Sequence, residues 1–263
     1  MNSAHSPRGD HAPAAVTRVS DTEWQAVADG LVVGRGDASR RPDGRLFVSV
    51  DAWQETVFDR LADAMRADLP EPLHTVADEA DTEAVSAWRR AGFTAARREW
   101  VHLVPTDPQV TGLARTRPPE GVVILPAGRA EEGPLRELEH VVRAEVEAGA
   151  GWPAMPAQVL PRPAGALVAD PSKYAVARQG GRYVGLIRVS PPRRPRIGLL
   201  AVRAELHRRG IARALLAHAL EELHRGGTAT AWAEAAESNG AALALLEGIH
   251  ARRTGSILEL VRH

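Results

Sequence analysis

The chain has 263 residues, of which 44% are hydrophobic and 25% charged, a composition typical of one large or two small folded domains. It holds 33 lysine and arginine residues against 33 aspartate and glutamate residues, so it lacks the basic excess of a dedicated nucleic-acid-binding protein. The absence of cysteine excludes disulfides, thiolate nucleophiles and cysteine-ligated metals, and an aromatic content of 4% argues against stacking platforms for single-stranded nucleic acid.

The N-terminus and the apolar runs bear on location. Residues 1–15 contain Pro7, Gly9, Asp10 and Pro13 and no hydrophobic stretch, so they predict a disordered tail rather than a secretory signal. No apolar run reaches the ~20 residues that span a bilayer. We therefore expect a cytoplasmic protein with no membrane partner.

In chain order, the N-terminal half predicts alternating strands and helices. Two strands flank an Asp29-Gly30 turn, and a strand, a helix, a strand, a helix and a strand follow. Their predicted bounds are 24–28, 31–33, 46–50, 57–67, 74–77, 82–91 and 100–104. Four prolines within the polar residues 105–120 predict a linker at 109–120 between domains at 16–108 and 121–263.

The C-terminal half predicts a similar order with an additional helix. Its elements are a strand at 121–125, a helix at 135–148, strands at 174–178 and 183–189 around Gly180-Gly181, a strand at 197–202, a helix at 210–225, a strand at 228–235, a helix at 239–246 and a strand at 256–261. Matching elements of the two halves are offset by about 150 residues, which indicates two similar α+β domains.

The segment from Ile197 to Leu216 combines features of an anion site. A predicted strand turns through His207-Arg208-Arg209-Gly210 into a helix whose first N–H groups have no partners within the helix. Gly210 lets the backbone approach a ligand closely, and the arginines, including Arg213, add positive charge. The alternative at this point is an ordinary strand–helix turn with solvated arginines.

Two motifs resemble the GNAT superfamily of N-acyltransferases. The run His207 to Ala212 resembles the family's Gln/Arg-x-x-Gly-x-Gly/Ala loop, with a departure at His207. Glu234 followed by Asn239 and a helix resembles its Glu-x-x-x-x-Asn motif. The resemblance implies two GNAT-like domains, each a mixed, mostly antiparallel sheet flanked by helices, with a splayed strand pair in the C-terminal copy.

The resemblance also implies the ligands. Acetyl-CoA would donate an acetyl group to a small-molecule or peptide amine, and no metal is expected, since the histidines lack metal-binding spacing. The implied CoA-binding residues lie on the last predicted strand before the loop, in the loop itself and at the asparagine: Leu200, Ala201, Val202, His207, Arg208, Arg209, Gly210, Ile211, Ala212, Arg213 and Asn239. The chain could act as a monomer or a homodimer.

Catalysis is less well specified. By the same resemblance, Glu234 is the candidate general base, with Glu237 as a fallback, because an ammonium must lose a proton before it attacks a thioester. The alternative for Glu234 is a surface or salt-bridged glutamate on a strand. Leu246 stands where the family has a tyrosine acid, and His250-Ala251 replaces its Gly-Phe. The rival hypothesis is a non-catalytic CoA-binding pseudoenzyme, sensor or interaction module.

Three further segments carry expectations. The first copy's loop, residues 51–58, has two acids and neither glycine nor arginine, so we expect that copy not to bind CoA, although Ala87 to Phe93 resembles the family's Leu-Tyr-x-x-x-Gly-Phe. Trp152 is a candidate for lining the acceptor cleft. Pro191 to Arg196 predicts a solvated hairpin turn.

Overall fold

The chain divides into two compact units. A computed structural model describes residues 14–41, 43–149, 151, 170–190 and 194–263. One unit comprises Met1–Ala96 with Leu258–His263, and the other comprises Arg97–Ile257. None of the helices in these described ranges is long and apolar enough to cross a membrane.

The N-terminal unit is a sheet covered by helices. Its elements are β1 (Ala15–Arg18), β2 (Glu23–Ala28), β3 (Leu31–Arg40), β4 (Leu46–Ala52), α1 (Glu55–Asp68), β5 (Leu73–Asp78) and α2 (Thr82–Arg90). Strands β1 to β4 pair antiparallel in succession, and β4 pairs parallel with β5. Strand β1 is not among the predicted elements and begins within the predicted tail, whose residues 1–13 lie outside the described ones.

Two glycines of β3 bring α1 close to this sheet. A Cβ atom on Gly34 would lie 2.8 Å from Val57 Cγ1, and one on Gly36 would lie 2.5 Å from Met65 Sδ. Because both positions lack a side chain, the buried face of α1 packs directly on the strand. These glycines therefore serve packing.

The second unit contains the predicted additional helix. Its elements are β6 (Thr94–Pro105), β7 (Val122–Leu125), α3 (Glu132–Ala148), β8 (Tyr174–Gln179), β9 (Arg182–Val189), β10 (Arg196–Val202), α4 (Ile211–Arg225), β11 (Thr230–Ala236), α5 (Gly240–Glu247) and β12 (Arg252–Arg262). Within this unit the strand order is β12-β6-β11-β10-β9-β8-β7. The observed elements confirm the predicted α+β fold of mixed, mostly antiparallel sheets flanked by helices.

Helices cover both faces of this sheet. On one face, α4 packs on β8, β9 and β10, and its buried Ile211, Leu215 and Leu216 share a cluster with Leu246 of α5. On the other face, α3 packs Leu135 and Leu138 against β8 and β9. The face of the sheet to which a side chain projects therefore decides which of the two hydrophobic cores it joins. The face covered by α3 also carries the charged residues described below.

The two parallel strands β10 and β11 diverge. They pair only at Arg196–Trp232 and Ile197–Ala233, with Trp232 N donating to Pro195 O at 2.8 Å. The register of β10 with β9 shifts at the skipped residue Gly198, which marks a bulge at the branch point. The predicted splayed pair is confirmed, and β4 and β5 of the first unit likewise pair at only two positions.

The units divide the chain at other places than the predicted linker. The boundary lies between Ala96 and Arg97, inside β6, and the chain returns to the first unit at Leu258, inside β12. Residues 109–120 therefore lie within the second unit. A strand's own sequence does not encode which sheet it joins, and the predicted domain bounds of 16–108 and 121–263 stay a prediction.

The turns after α2 and α5 show how far the internal repeat extends. Asp81 and Asn239 cap these helices by accepting from Ala84 N and Ala242 N. Gly92 and His250 then follow in the left-handed region, with φ of 87° and 58°. His250 thus occupies a position that favours glycine, and its Nδ1 lies 3.1 Å from Val110 O.

We expect His250→Gly to be more stable than His250→Ala by about 0.5–1 kcal/mol, because both lose the imidazole contact and only glycine avoids the cost of the left-handed conformation. Urea unfolding of the two variants measures the difference. Equal midpoints, or a more stable alanine variant, would contradict the backbone assignment.

Candidate functional site

Hydrogen bonds to β9 and α3 hold the connection from β10 to α4 in place. The buried Arg203 donates through Nε to Tyr183 O at 3.0 Å, and Ala204 N donates to Glu145 Oε2 at 2.9 Å. His207 Nε2 lies 2.7 Å from Val202 O. These contacts hold the first half of the connection on the sheet, so the second half presents its backbone outwards in a defined conformation.

The second half of the connection presents a row of amides. Arg208 and Gly210 have φ of 61° and 86°. Within the described part of the chain, no backbone N–H from Arg208 to Arg213 donates to a protein acceptor, and Ala214 N, which bonds Gly210 O, is the first that does. Successive N–H groups at left-handed positions and a helix N-terminus form a concavity that suits an anion.

The surroundings of this row also suit an anion. The side chains of Arg208, Arg209 and Arg213 are exposed and make no ion pair with any described residue. A Cβ atom on Gly210 would meet only Pro119 Cγ, at 3.9 Å, so the space above the glycine is open. The predicted loop residues, including Ile211 and Ala212, therefore lie together at one helix N-terminus.

The free edge of β10 leads away from these amides. Leu200, Ala201 and Val202 pair with β9 on one side. On the other side, no described strand pairs with them, because β11 has diverged. An extended ligand with amide groups could add to this edge as a further strand would.

Glu234 lies just beyond the branch point. It follows Ala233, the last residue of β11 that pairs with β10, and its side chain is 4% exposed. The Arg196 guanidinium forms an ion pair with its carboxylate. Partial burial lowers the pKa of Arg196, and the nearby Glu99 carboxylate opposes this shift.

This pair includes the last residue of the predicted solvated turn at Pro191–Arg196. The side chain of Arg196 is 36% exposed and pairs with the buried Glu234, whereas residues 191–193 lie outside the described ones, so the solvated turn stays a prediction. The turn composition indicated solvent exposure, but strand alternation directs the last arginine towards the neighbouring strand.

Further charged groups lie on the face of Glu234. Register places Glu234 opposite Val101 and Ala236 opposite Glu99, so both glutamates project to the same side of the sheet. Glu99 pairs with Arg97 on the same strand, and both are largely buried. Opposite charges at alternate positions therefore neutralise each other beside the branch point.

The other predicted residues lie elsewhere. Glu237 pairs with Arg98 at 3.1 Å on the surface. Asn239 accepts from Ala242 N at 3.0 Å as the cap of α5. Leu246 is buried in the core below α4 and offers no proton donor at the usual tyrosine position. Trp152 lies outside the described residues.

Sequence reasoning missed Arg203, Glu145 and Arg188. The first two hold the connection in place, and Arg188 lies on β9 beside the bulge, with its guanidinium over Gly198. No motif marks these residues, because each acquires its position only through pairing or packing with another element. Among the described residues, no three histidine, aspartate or glutamate side chains form a potential metal site.

The first unit differs at the corresponding connection. Only Trp53 and Gln54 separate β4 from α1, whereas residues 203–210 separate β10 from α4. Gln54 makes no side-chain cap, and Trp53 is 97% exposed. That this copy binds no CoA stays a prediction.

Comparisons with known proteins find a family match within the second unit. Residues 135–249 match the Acetyltransferase (GNAT) family model. Over 50 residues, the chain is 46% identical to the [Ribosomal protein bS18]-alanine N-acetyltransferase of Escherichia coli (strain K12) and 44% identical to that of Salmonella typhimurium (strain LT2). Each match covers 19% of this chain and about a third of the relative (34%).

Solved structures share the fold over more of the chain. A GCN5-related N-acetyltransferase from Sphaerobacter thermophilus is 16% identical, with a TM-score of 0.61 over 94% of this chain and 82% of the other. A tandem GNAT protein from the clavulanic acid biosynthesis pathway is 15% identical, with a TM-score of 0.63 over 97% of this chain and 85% of the other. Residues 135–249 thus match the GNAT acetyltransferase family model, and the GNAT structures share the fold over both units of the chain.

Proposed function

We propose that the second unit transfers an acetyl group from acetyl-CoA to a primary amine of a small molecule or peptide. The observation that carries this proposal is the row of backbone N–H groups from Arg208 to Arg213, which no described protein group accepts from. Their position beside the free edge of β10 matches what a diphosphate followed by an extended amide chain requires.

The residues present fit acetyl-CoA as a substrate. The amides of the loop and the three arginines would hold its diphosphate, and the edge from Leu200 to Val202 would pair with its pantetheine amides. Bound in this way, acetyl-CoA would supply a thioester near the branch point of β10 and β11. An N–H of the β10 edge would stabilise negative charge on the carbonyl oxygen.

Glu234 is the proposed base. Its carboxylate would accept a proton from the acceptor's ammonium, directly or through water, which frees the nitrogen lone pair to attack the thioester carbon. The new C–N bond forms as the C–S bond breaks, and the second proton of the nitrogen passes through water to the departing thiolate. Arg196 would keep Glu234 ionised in its buried position before the proton arrives.

The departing thiolate would take its proton from water. Leu246 has no proton to give, and the exposed His250 ring contacts Val110 O. Because a thiol has a pKa of about 8.5, the thiolate is a tolerable leaving group without a dedicated acid.

The alternative is a non-catalytic module that binds CoA. Leu246 at the usual position of the acid favours it, and so does the neutralisation of Glu234 by Arg196. The relatives that act on a ribosomal-protein alanine support an amine acceptor, but their similarity spans only 50 residues. Turnover with acetyl-CoA distinguishes the two functions.

Gly210→Glu is expected to weaken CoA binding at least about 100-fold, because a carboxylate beside the amide row repels the diphosphate. Isothermal titration calorimetry with CoA measures the loss. Gly227→Glu is the matched control, since Gly227 follows the other end of α4 with φ of 79° and open space around it. Equal affinities in the two variants would contradict the loop assignment.

Glu234→Gln is expected to lower kcat/KM for acetyl transfer by about 10²- to 10⁴-fold, because glutamine cannot accept the ammonium proton. Thiol release over an amine panel measures the rate. Arg196→Gln breaks the same ion pair but keeps the carboxylate, so it should retain clearly more activity. Equal losses in the two variants would show that the pair is structural.

A further inference from the structure

Arg188 stands out among the charged residues of the α3 side of the sheet. It lies on β9, pairs in register with Leu199 of β10 and with Tyr174 of β8, and is half-buried. Its guanidinium makes no ion pair or hydrogen bond with any described residue. A partly desolvated guanidinium without an acceptor costs free energy, which an anionic ligand would offset.

Gly198 fixes where this guanidinium lies. A Cβ atom built on Gly198 would be 3.0 Å from Arg188 Nη2 and 3.3 Å from Nε. The arginine head therefore covers the glycine at the bulge, at the branch point of β10 and β11. Glu234 follows the last paired residue of β11, as Gly198 follows the last paired residue of β10, so the two residues lie on neighbouring strands at the branch point. The side chain of Glu234 projects to the same side of the sheet as that of Arg188.

A buried carboxylate on this side of the sheet already has partners. Glu139 of α3 accepts from Arg143 Nη2 and from the Tyr174 hydroxyl, each at 3.1 Å. Burial raises the pKa of Tyr174, the Glu139 carboxylate raises it further, and Arg188 opposes the shift. Arg143 balances the charge of Glu139, which leaves the positive charge of Arg188 for a ligand.

We propose that Arg188 binds a carboxylate of the acceptor, so the acceptor is an amine that also carries an acid group. A planar guanidinium binds a carboxylate through two parallel hydrogen bonds, which would orient the amine towards Glu234. This inference rests on the proposed function, because it assigns the acceptor of that same site.

Matched ligand pairs test the inference. Glycine, β-alanine and γ-aminobutyrate are compared with glycinamide, β-alaninamide and γ-aminobutyramide, by calorimetry in saturating CoA and by turnover with acetyl-CoA. We expect at least one acid to bind better than its amide, and Arg188→Gln to reduce that preference about 10- to 100-fold. Differences in amine basicity cancel, because the ratio within each pair is compared between the parent protein and the variant.

Two variants serve as controls. Arg178→Gln removes an exposed arginine from β8 of the same hairpin and should keep the preference for acids. Arg188→Lys keeps the charge without the planar fork and should lie between the parent and Arg188→Gln. CoA affinity and melting temperature of each variant report whether its fold is intact.

The outcomes separate this inference from the proposed function. A preference for acids that depends on Arg188, without turnover, supports the inference and overturns the transferase function. Turnover without such a preference supports the transferase function and overturns the inference. The inference is overturned if none of the acids binds, or if Arg188→Gln loses affinity for the acids and for the amides equally.

Discussion

The parallel pairing of β10 with β11 ends after two residue pairs. Beyond this point the strands diverge, so the facing backbone polar groups of β10 have no partner on β11. Every backbone N–H and C=O group withdrawn from a neighbouring strand needs water or a ligand as a partner. The bulge at Gly198 bends β10 away from β11 at the same place. The sheet therefore keeps an open edge inside a folded unit, and the amide row of the following connection extends that edge.

The buried carboxylates of both units occur in ion pairs. Each buried glutamate of the two units has an arginine partner among the described residues: Glu99 with Arg97, Glu139 with Arg143, Glu234 with Arg196 and Glu259 with Arg45. Pairs of this kind offset the desolvation of each ion but contribute little net stability. Arg188 is half-buried without such a partner, which is the basis of the proposal that it binds an acid group of the acceptor.

Both units contain a pair of parallel strands that diverge, but the connection that follows differs between them. In the first, β4 and β5 also pair at only two positions, Leu46–Leu73 and Phe47–His74. The connection that follows β4 is two residues long, which leaves no room for a row of outward amides before α1 begins. The sheet geometry thus survives in both copies, whereas the length and composition of one connection distinguish them.

Sequence periodicity and turn residues determined most elements of both units, because amphipathic spacing and left-handed glycines act locally. The loop from His207 to Ala212 and Glu234 were singled out by their resemblance to GNAT motifs, and their roles stay predictions. The tertiary structure decided what depends on pairing between distant strands. It divided both β6 and β12 between the two units. It also joined Arg196 to Glu234 and placed the guanidinium of Arg188 over Gly198. These outcomes follow from register, and register arises only when strands far apart in the chain meet.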